Sequence, residues 1–102
     1  MHTTCIHLSI RFEWDAAKAR ENLRKHRVDF ADAVIALEDE NALTVEDREQ
    51  SEIRFKTLGM GPELNVLLVV HAMRSRGAIR IISARRASRR QINEYFKGIP
   101  HE

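Results

Sequence analysis

The chain has 102 residues, with 17 Lys and Arg, 15 Asp and Glu, five His and one Cys. No apolar run is long enough to cross a bilayer, and a single cysteine forms neither an intramolecular disulfide nor a cysteine zinc cage. A chain of this length has one core and little room for an elaborate internal pocket, so we expect function to reside on a surface or in a shallow groove.

The N-terminal part predicts a strand followed by two helices. Apolar and charged residues alternate over residues 10–14, which is typical of a strand with one buried face. Asp15 is a suitable N-cap for a helix that continues through Lys25. Asp29 caps a second helix, whose apolar residues recur at i, i+3, i+4 and i+7. These residues are Phe30, Ala33, Val34 and Leu37.

Beyond the acidic segment 38–40 the pattern changes to strands, predicted at residues 42–45, 53–58, 64–72 and 78–84. The short connections between the last three hold no crossover helix, which predicts an antiparallel meander. Ser88 and Gln91 then form a capping-box pattern that begins a C-terminal amphipathic helix.

This order of elements predicts an α+β domain. We expect an N-terminal helix pair, an antiparallel β-sheet of about four strands and a C-terminal helix. The whole chain, residues 1–102, is interpreted as a single domain, with 10–99 as its folded part and 1–9 as a mobile N-terminal extension.

Charge is segregated along the chain. Residues 1–63 carry 9 Lys and Arg against 13 Asp and Glu, a net charge of −4, whereas residues 64–102 carry 8 against 2, a net charge of +6. Such asymmetry indicates a basic surface for a polyanion, or for an acidic protein partner that masks it. The alternative is an arginine-rich end that is only solvated or paired with the acidic half.

Candidate site residues are mainly cationic. Arg54 and Lys56 alternate with apolar residues, so they share one face of their strand. Further arginines surround the start of the last helix, where free backbone amides also attract anions. This basic zone comprises Arg85, Arg86, Arg89 and Arg90.

His71 and Arg80 are candidates for a catalytic pair. Metal-free RNA cleavage needs a base at the 2′-hydroxyl, cations around the transition-state phosphate and an acid for the leaving 5′-oxygen. An imidazole titrates near neutrality, so His71 is the natural proton-transfer candidate, whereas arginines stabilise charge. A two-residue hairpin loop places His71 opposite Arg80, while a three-residue loop ending in Gly77 shifts the register by one and separates them.

Each candidate has a structural alternative. Arg80 is equally well interpreted as an ion-pair partner of Glu13 or Glu52. His71 is alternatively a hydrogen-bonded residue of the sheet. Tyr95 lies on the apolar stripe of the last helix and is a core residue unless its hydroxyl reaches the groove. The sequence contains no P-loop, GxGxxG or GxSxG motif and no metal-binding His pair, so we predict neither a cofactor nor a metal.

Four short motifs together are specific: Phe12-Glu13-Trp14-Asp15, Lys25-His26-x-Val28-x-Phe30, Glu52-x-Arg54, and Arg-Ile-Ile-Ser-Ala-Arg-Arg-Ala at residues 80–87. From about residue 11 to residue 96 the chain resembles the BrnT family of toxins. The resemblance implies a RelE-like fold, metal-independent endoribonuclease activity that inhibits translation, and neutralisation by a BrnA-type antitoxin. Arg27 and Ser51 depart from it, because the family often has Gly at both positions.

The resemblance also implies functional residues and partners. The implied catalytic residues are Arg54, Arg80, Arg85 and His71. The predicted RNA-binding residues are Lys56 and Tyr95, which the resemblance implies, and Arg86, Arg89 and Arg90, which belong to the basic zone. The implied assembly is a heterotetramer with the cognate BrnA-type antitoxin. Operator DNA is then bound only indirectly, through the antitoxin, and no membrane partner is implied.

Two alternatives remain open at this point. The chain is either an active ribonuclease or a catalytically weak corepressor that acts with an antitoxin on operator DNA. A plain nucleic-acid-binding domain is less favoured, because the sequence offers no pairs of exposed aromatic residues for stacking on single strands. The lone Cys5 and the absence of a secretory signal pattern predict a cytoplasmic protein.

Overall fold

The computed structural model describes residues 2–7, 10–48 and 51–99. These ranges contain six strands and three α-helices. In chain order they are β1 (His2–His7), β2 (Ile10–Asp15), α1 (Ala16–His26), α2 (Phe30–Leu37), β3 (Leu43–Asp47), β4 (Arg54–Met60), β5 (Val66–Met73), β6 (Ile79–Arg86) and α3 (Arg89–Lys97). A short 3₁₀ turn at Ser75–Gly77 joins β5 to β6.

The strands form one sheet in the order β1-β2-β6-β5-β4-β3. The α+β class and the meander of β4, β5 and β6 are as predicted. The prediction of about four antiparallel strands is wrong in two respects, since the described sheet has six strands and β2 lies parallel to β6. The helix pair and the meander separate β2 from β6, and so long a connection allows parallel pairing that no local pattern reveals.

The predicted mobile extension, residues 1–9, contains strand β1. His2–His7 pairs antiparallel with the whole of β2. Because β2 would otherwise expose a row of unpaired backbone groups on the side away from β6, this pairing satisfies its hydrogen-bonding potential. Met1, Leu8 and Ser9 lie outside the described residues.

The helices begin where short polar side chains cap them. Asp15 accepts hydrogen bonds from the amides of Ala17 and Lys18 at 2.8 and 3.1 Å, and Asp29 caps α2 in the same way. Ser88 and Gln91 form the predicted capping box at α3. Helix α1 ends at Arg27 with φ of 59°, a left-handed conformation that glycine adopts more readily.

Two hydrophobic clusters cover opposite faces of the sheet. The larger cluster joins α1 and α2 to one face and includes Phe12, Phe30, Val69, Ile81 and Ala84. Helix α3 covers part of the other face through a smaller cluster that includes Leu58, Val66 and Tyr95. Gly59 is required under α2, because a Cβ at this position would lie 2.0 Å from the carbonyl oxygen of Ala36.

Asn22 joins α1 to the edge of β6. Its Nδ2 donates to the carbonyl oxygens of Val28 and Ala84 at 3.0 and 2.8 Å, and its Oδ1 accepts from the amide of Ala84 at 3.1 Å. The side chain is buried. The Asn22 side chain therefore satisfies the backbone N–H and C=O of Ala84, at a point on the edge of β6 that its pairing with β2 does not reach.

Candidate functional site

The candidate site lies on the sheet face that carries α3, in the part that α3 leaves uncovered. Directly paired residues of neighbouring strands share a face, and the register pairs Leu58 with Leu68 and Leu68 with Arg85. Alternation along β4 adds Arg54 and Lys56 to this face. Arg80 joins them because it pairs with Ala72, after a register shift that offsets its odd spacing from Arg85. We call it the open face and define it by Arg54, Lys56, Arg80 and Arg85.

Arg54 and Arg80 stand on either side of Ala72. Arg80 pairs with Ala72, and Arg54 continues the register of β4 to the other side of the same residue. Two inter-strand spacings place their Cα atoms about 10 Å apart. Ala72 is fully buried and has only a methyl side chain. The two arginines therefore lie on either side of a buried alanine on the same face of the sheet.

Acidic side chains accompany these cations. Arg80 Nη2 donates to both carboxylate oxygens of Glu52 at 2.7 and 3.0 Å. Lys56 Nζ lies 3.4 Å from Asp47 Oδ2. Glu13, the other predicted partner of Arg80, instead faces Arg74 at 3.7 Å. The ion-pair alternative for Arg80 is thus present, with Glu52, and it brings a carboxylate into the site.

Arg54 differs from its neighbours in its pairing. The ion pairs of this face join Lys56, Arg74 and Arg80 to carboxylates, and none of them, within the described part of the chain, includes Arg54. Its buried Nε has no hydrogen-bond partner among the same residues. An unpaired buried donor costs free energy, so this Nε has hydrogen-bonding capacity that the described residues leave unused.

His71 lies on the opposite face. It pairs with Ile81, a residue of the larger cluster, while Arg80 pairs with Ala72. Of the two registers that the sequence left open, the structure has the one that separates His71 from Arg80. The three-residue turn at Ser75–Gly77 sets this register, which pairs Ala72 instead of His71 with Arg80.

The surroundings of His71 are those of a core residue. It is 7% exposed, stacks on Phe55 and lies with Nε2 2.8 Å from the Oγ1 of Thr57 in a hydrogen bond. Thr57 in turn bonds Thr44 at 2.8 Å. Burial lowers the pKa of His71 to about 4. At neutral pH this imidazole is neutral and does not reach the open face.

The buried His71 makes stability depend on pH. Below about pH 6.5 the unfolded chain protonates this imidazole, but the folded chain does so only near pH 4. The free energy of unfolding should therefore fall by roughly 3 kcal/mol from about pH 6.5 to pH 4. Urea unfolding of His71→Gln, which keeps an amide near Thr57, should show a pH slope shallower by about 1.4 kcal/mol per unit in this window. The exposed control His26→Gln should keep the wild-type slope, and equal slopes for H71Q and wild type would contradict the assignment.

The predicted RNA-binding residues are dispersed. Lys56 is on the open face, one step along β4 from Arg54. Arg85 lies near α3, with Nη1 donating to the carbonyl oxygen of Arg86 and to Gln91 at 3.0 and 3.5 Å. Arg86 pairs with Leu67, which places it on the face of α1 and α2. It is therefore separated from the open face by the sheet.

The remaining candidates belong to α3. Arg89 and Arg90 are exposed in its first turn, and Arg90 pairs with Glu94 at 3.3 Å. Tyr95 is 2% exposed in the smaller cluster, and its hydroxyl donates to Asp39. Burial and this carboxylate raise the pKa of Tyr95 to about 12. Tyr95 is a core residue, as the alternative interpretation held.

Glu52 is not among the catalytic or RNA-binding residues predicted from the sequence, which named it only as a possible ion-pair partner of Arg80. Its place in the Glu52-x-Arg54 motif was a further signal, but the sequence did not decide between Glu13 and Glu52 as that partner. The structure pairs it with Arg80, 28 residues away. The open face therefore combines three arginines, a lysine and an accepting carboxylate.

Among the described residues, no His, Cys, Asp and Glu side chains form a group of three or more that could hold a metal ion. Within the same ranges, no helix has the length and apolar character needed to traverse a membrane.

The comparisons with known proteins indicate the same family as the sequence motifs. A family model described as "Ribonuclease toxin, BrnT, of type II toxin-antitoxin system" matches residues 14–91. The chain is similar to the Brucella abortus ribonuclease toxin BrnT, whose crystal structure has 1.1 Å resolution. The two share 27% sequence identity and a TM-score of 0.56 over 74% of this chain and 94% of that one. No curated protein sequence matches significantly. The resemblance predicted from the motifs is confirmed.

Proposed function

The chain belongs to the BrnT family of ribonuclease toxins of type II toxin–antitoxin systems, and we propose that it is a metal-independent endoribonuclease that cleaves RNA and so inhibits translation in the cytoplasm. The observation that carries this proposal is the pair of guanidinium groups of Arg54 and Arg80 around Ala72. A phosphate bound between these two arginines would meet positive charges and hydrogen-bond donors on both sides.

Arg54 and Arg80 bind and stabilise the scissile phosphate. Arg54 has a free donor at Nε, and Arg80 has its Nη2 oriented by Glu52. As the 2′-oxygen attacks phosphorus, negative charge grows on the non-bridging oxygens, and donors already in place lower the barrier without reorganisation. Because guanidinium groups do not give up protons near neutral pH, neither arginine serves as acid or base.

Proton transfer is assigned to other residues. His71 is excluded by its burial on the opposite face. Glu52 is the carboxylate in contact with Arg80, and it takes the proton of the attacking 2′-hydroxyl. The bond to the 5′-oxygen then breaks, and this oxygen takes a proton from Lys56 or from water. The products are a 2′,3′-cyclic phosphate and a 5′-hydroxyl end.

Arg85 contributes at a distance. Arg85 is level with Leu58 across the sheet, and Leu58 lies four residues along β4 from Arg54. This separation along the strand direction is about 13 Å. Arg85 belongs with Arg89 and Arg90 to a basic zone beside α3 that binds phosphates flanking the cleaved bond. Arg86, on the other face, has no part in this proposal.

As a type II toxin, the protein is expected to pair with an antitoxin. We propose that this partner is of the BrnA type and that two toxins and two antitoxins form a heterotetramer. Operator DNA would be bound through the antitoxin only. The substrate is RNA, and no membrane partner is proposed.

The direct test is cleavage of labelled total RNA by the purified protein in EDTA. We expect the wild type to cleave and to leave 5′-hydroxyl ends, and the double variant Arg80→Ala with Arg85→Ala to leave RNA intact. A matched control removes the same charge from the exposed face of α1, by Arg20→Ala with Arg24→Ala, and should retain activity. Intact RNA with the wild type, also when ribosomes are added, would favour the corepressor alternative.

A further inference from the structure

An apolar groove adjoins the open face between α3 and the strands β3 and β4. Its volume is about 190 Å³. Aliphatic side chains form its lining: Leu43, Val45, Leu58 and Leu68. Lys56 lies at its border with the open face, and Glu94 of α3 lies at the opposite border.

The groove is not filled by the protein's own residues. Tyr95 and Ile92 of α3, with Ile99 just beyond the helix, pack on Leu58, and Gly98 lies against Leu43, but Val45 of β3 stays exposed. Val45 pairs with Lys56 on this face and is 62% exposed. A β-branched side chain so exposed, beside further aliphatic residues, is typical of a surface that a partner covers.

The chemistry of the groove selects among possible occupants. RNA bases bind by stacking on aromatic rings, whereas the apolar lining here is aliphatic. A second copy of the chain would bring Arg54, Lys56 and Arg80 close to the same cations, which electrostatic repulsion opposes. The occupant that fits is a peptide segment with apolar side chains for the groove and acidic side chains for the adjoining Arg54, which, unlike Lys56, has no ion pair among the described residues.

We propose that this groove is the site where the antitoxin docks a segment of alternating apolar and acidic character. The inference rests on the proposed function, because Lys56 borders both the groove and the arginine pair. Lys56 and Arg54 are two residues apart on β4, so their Cα atoms are about 7 Å apart. A segment seated in the groove therefore carries its acidic side chains over the cations that bind RNA and blocks the site.

The test compares two apolar-to-polar substitutions. Val45→Gln alters the groove, and Leu64→Gln alters an 82% exposed leucine in the turn before β5. The toxin is co-purified with its cognate antitoxin, separated and titrated with it. We expect V45Q to weaken antitoxin binding at least about tenfold, and L64Q to change it less than about twofold. Val45→Thr, which keeps the branched shape, should show an intermediate loss, and thermal unfolding of each variant verifies its folding.

RNA cleavage is measured separately on each free toxin. We expect V45Q to cleave as the wild type does, but to stay active at antitoxin concentrations that silence the wild type. Wild-type affinity and inhibition in both Val45 variants would overturn the docking proposal. A loss of RNA binding with unchanged antitoxin affinity would overturn it too, since the groove would then belong to the RNA. If the wild type does not cleave, the proposed function fails while the binding comparison still decides the docking site.

Discussion

Replacing Arg54 by methionine should reduce RNA cleavage by at least about 100-fold, because a preorganised donor to the transition state typically contributes about 3 kcal/mol. The same change should leave the free energy of unfolding unchanged or raise it slightly. Arg54 keeps a buried Nε without a partner, so its removal relieves a desolvation cost, and the methionine fills much of the same apolar space. This opposition between activity and stability distinguishes a functional arginine from a structural one.

Single-turnover cleavage and urea unfolding of Arg54→Met together measure both effects. Arg20→Met, on the exposed side of α1, is the matched control and should change neither quantity. Wild-type activity in R54M would remove Arg54 from the mechanism. A loss of stability above about 1 kcal/mol would show that the guanidinium holds the sheet together instead.

Substituting Asn22 by aspartate should destabilise the fold by about 3–5 kcal/mol, which lowers Tm by more than about 10 °C in a domain of this size. The two side chains have nearly the same shape, but Asp lacks the Nδ2 donor. A carboxylate would face the carbonyl oxygens of Val28 and Ala84, which now accept hydrogen bonds from Asn22. The destabilisation therefore reports on hydrogen bonding rather than on packing.

The pH dependence of the stability of Asn22→Asp provides a second test of the same hydrogen bonds. Burial against carbonyl oxygens raises the pKa of the new carboxyl above its value in the unfolded chain. The penalty is then largest at neutral pH and narrows below about pH 5, where the folded state takes up the proton. Thermal and urea unfolding measure both effects, with the exposed Asn93→Asp as control. Equal stability of N22D and the wild type at neutral pH would mean that the Asn22 hydrogen bonds do not hold α1 to β6.

Short-range patterns in the sequence determined the elements and part of the site. The caps at Asp15, Asp29 and Ser88 were predictable because each acts on amides two or three residues away. The common face of Arg54 and Lys56 was predictable because side chains alternate along any strand. The family followed from four motifs read together, and the family comparison confirms it.

The tertiary structure alone decided which candidates meet. A turn of three residues and one register shift send His71 into the core and leave Arg80 on the open face, because each shift by one residue exchanges the two faces of a strand. The partnership of Arg80 with Glu52 and the parallel pairing of β2 with β6 join residues far apart in the chain. Local sequence patterns do not determine such pairings, because the interactions between the paired residues form only when the whole sheet has assembled.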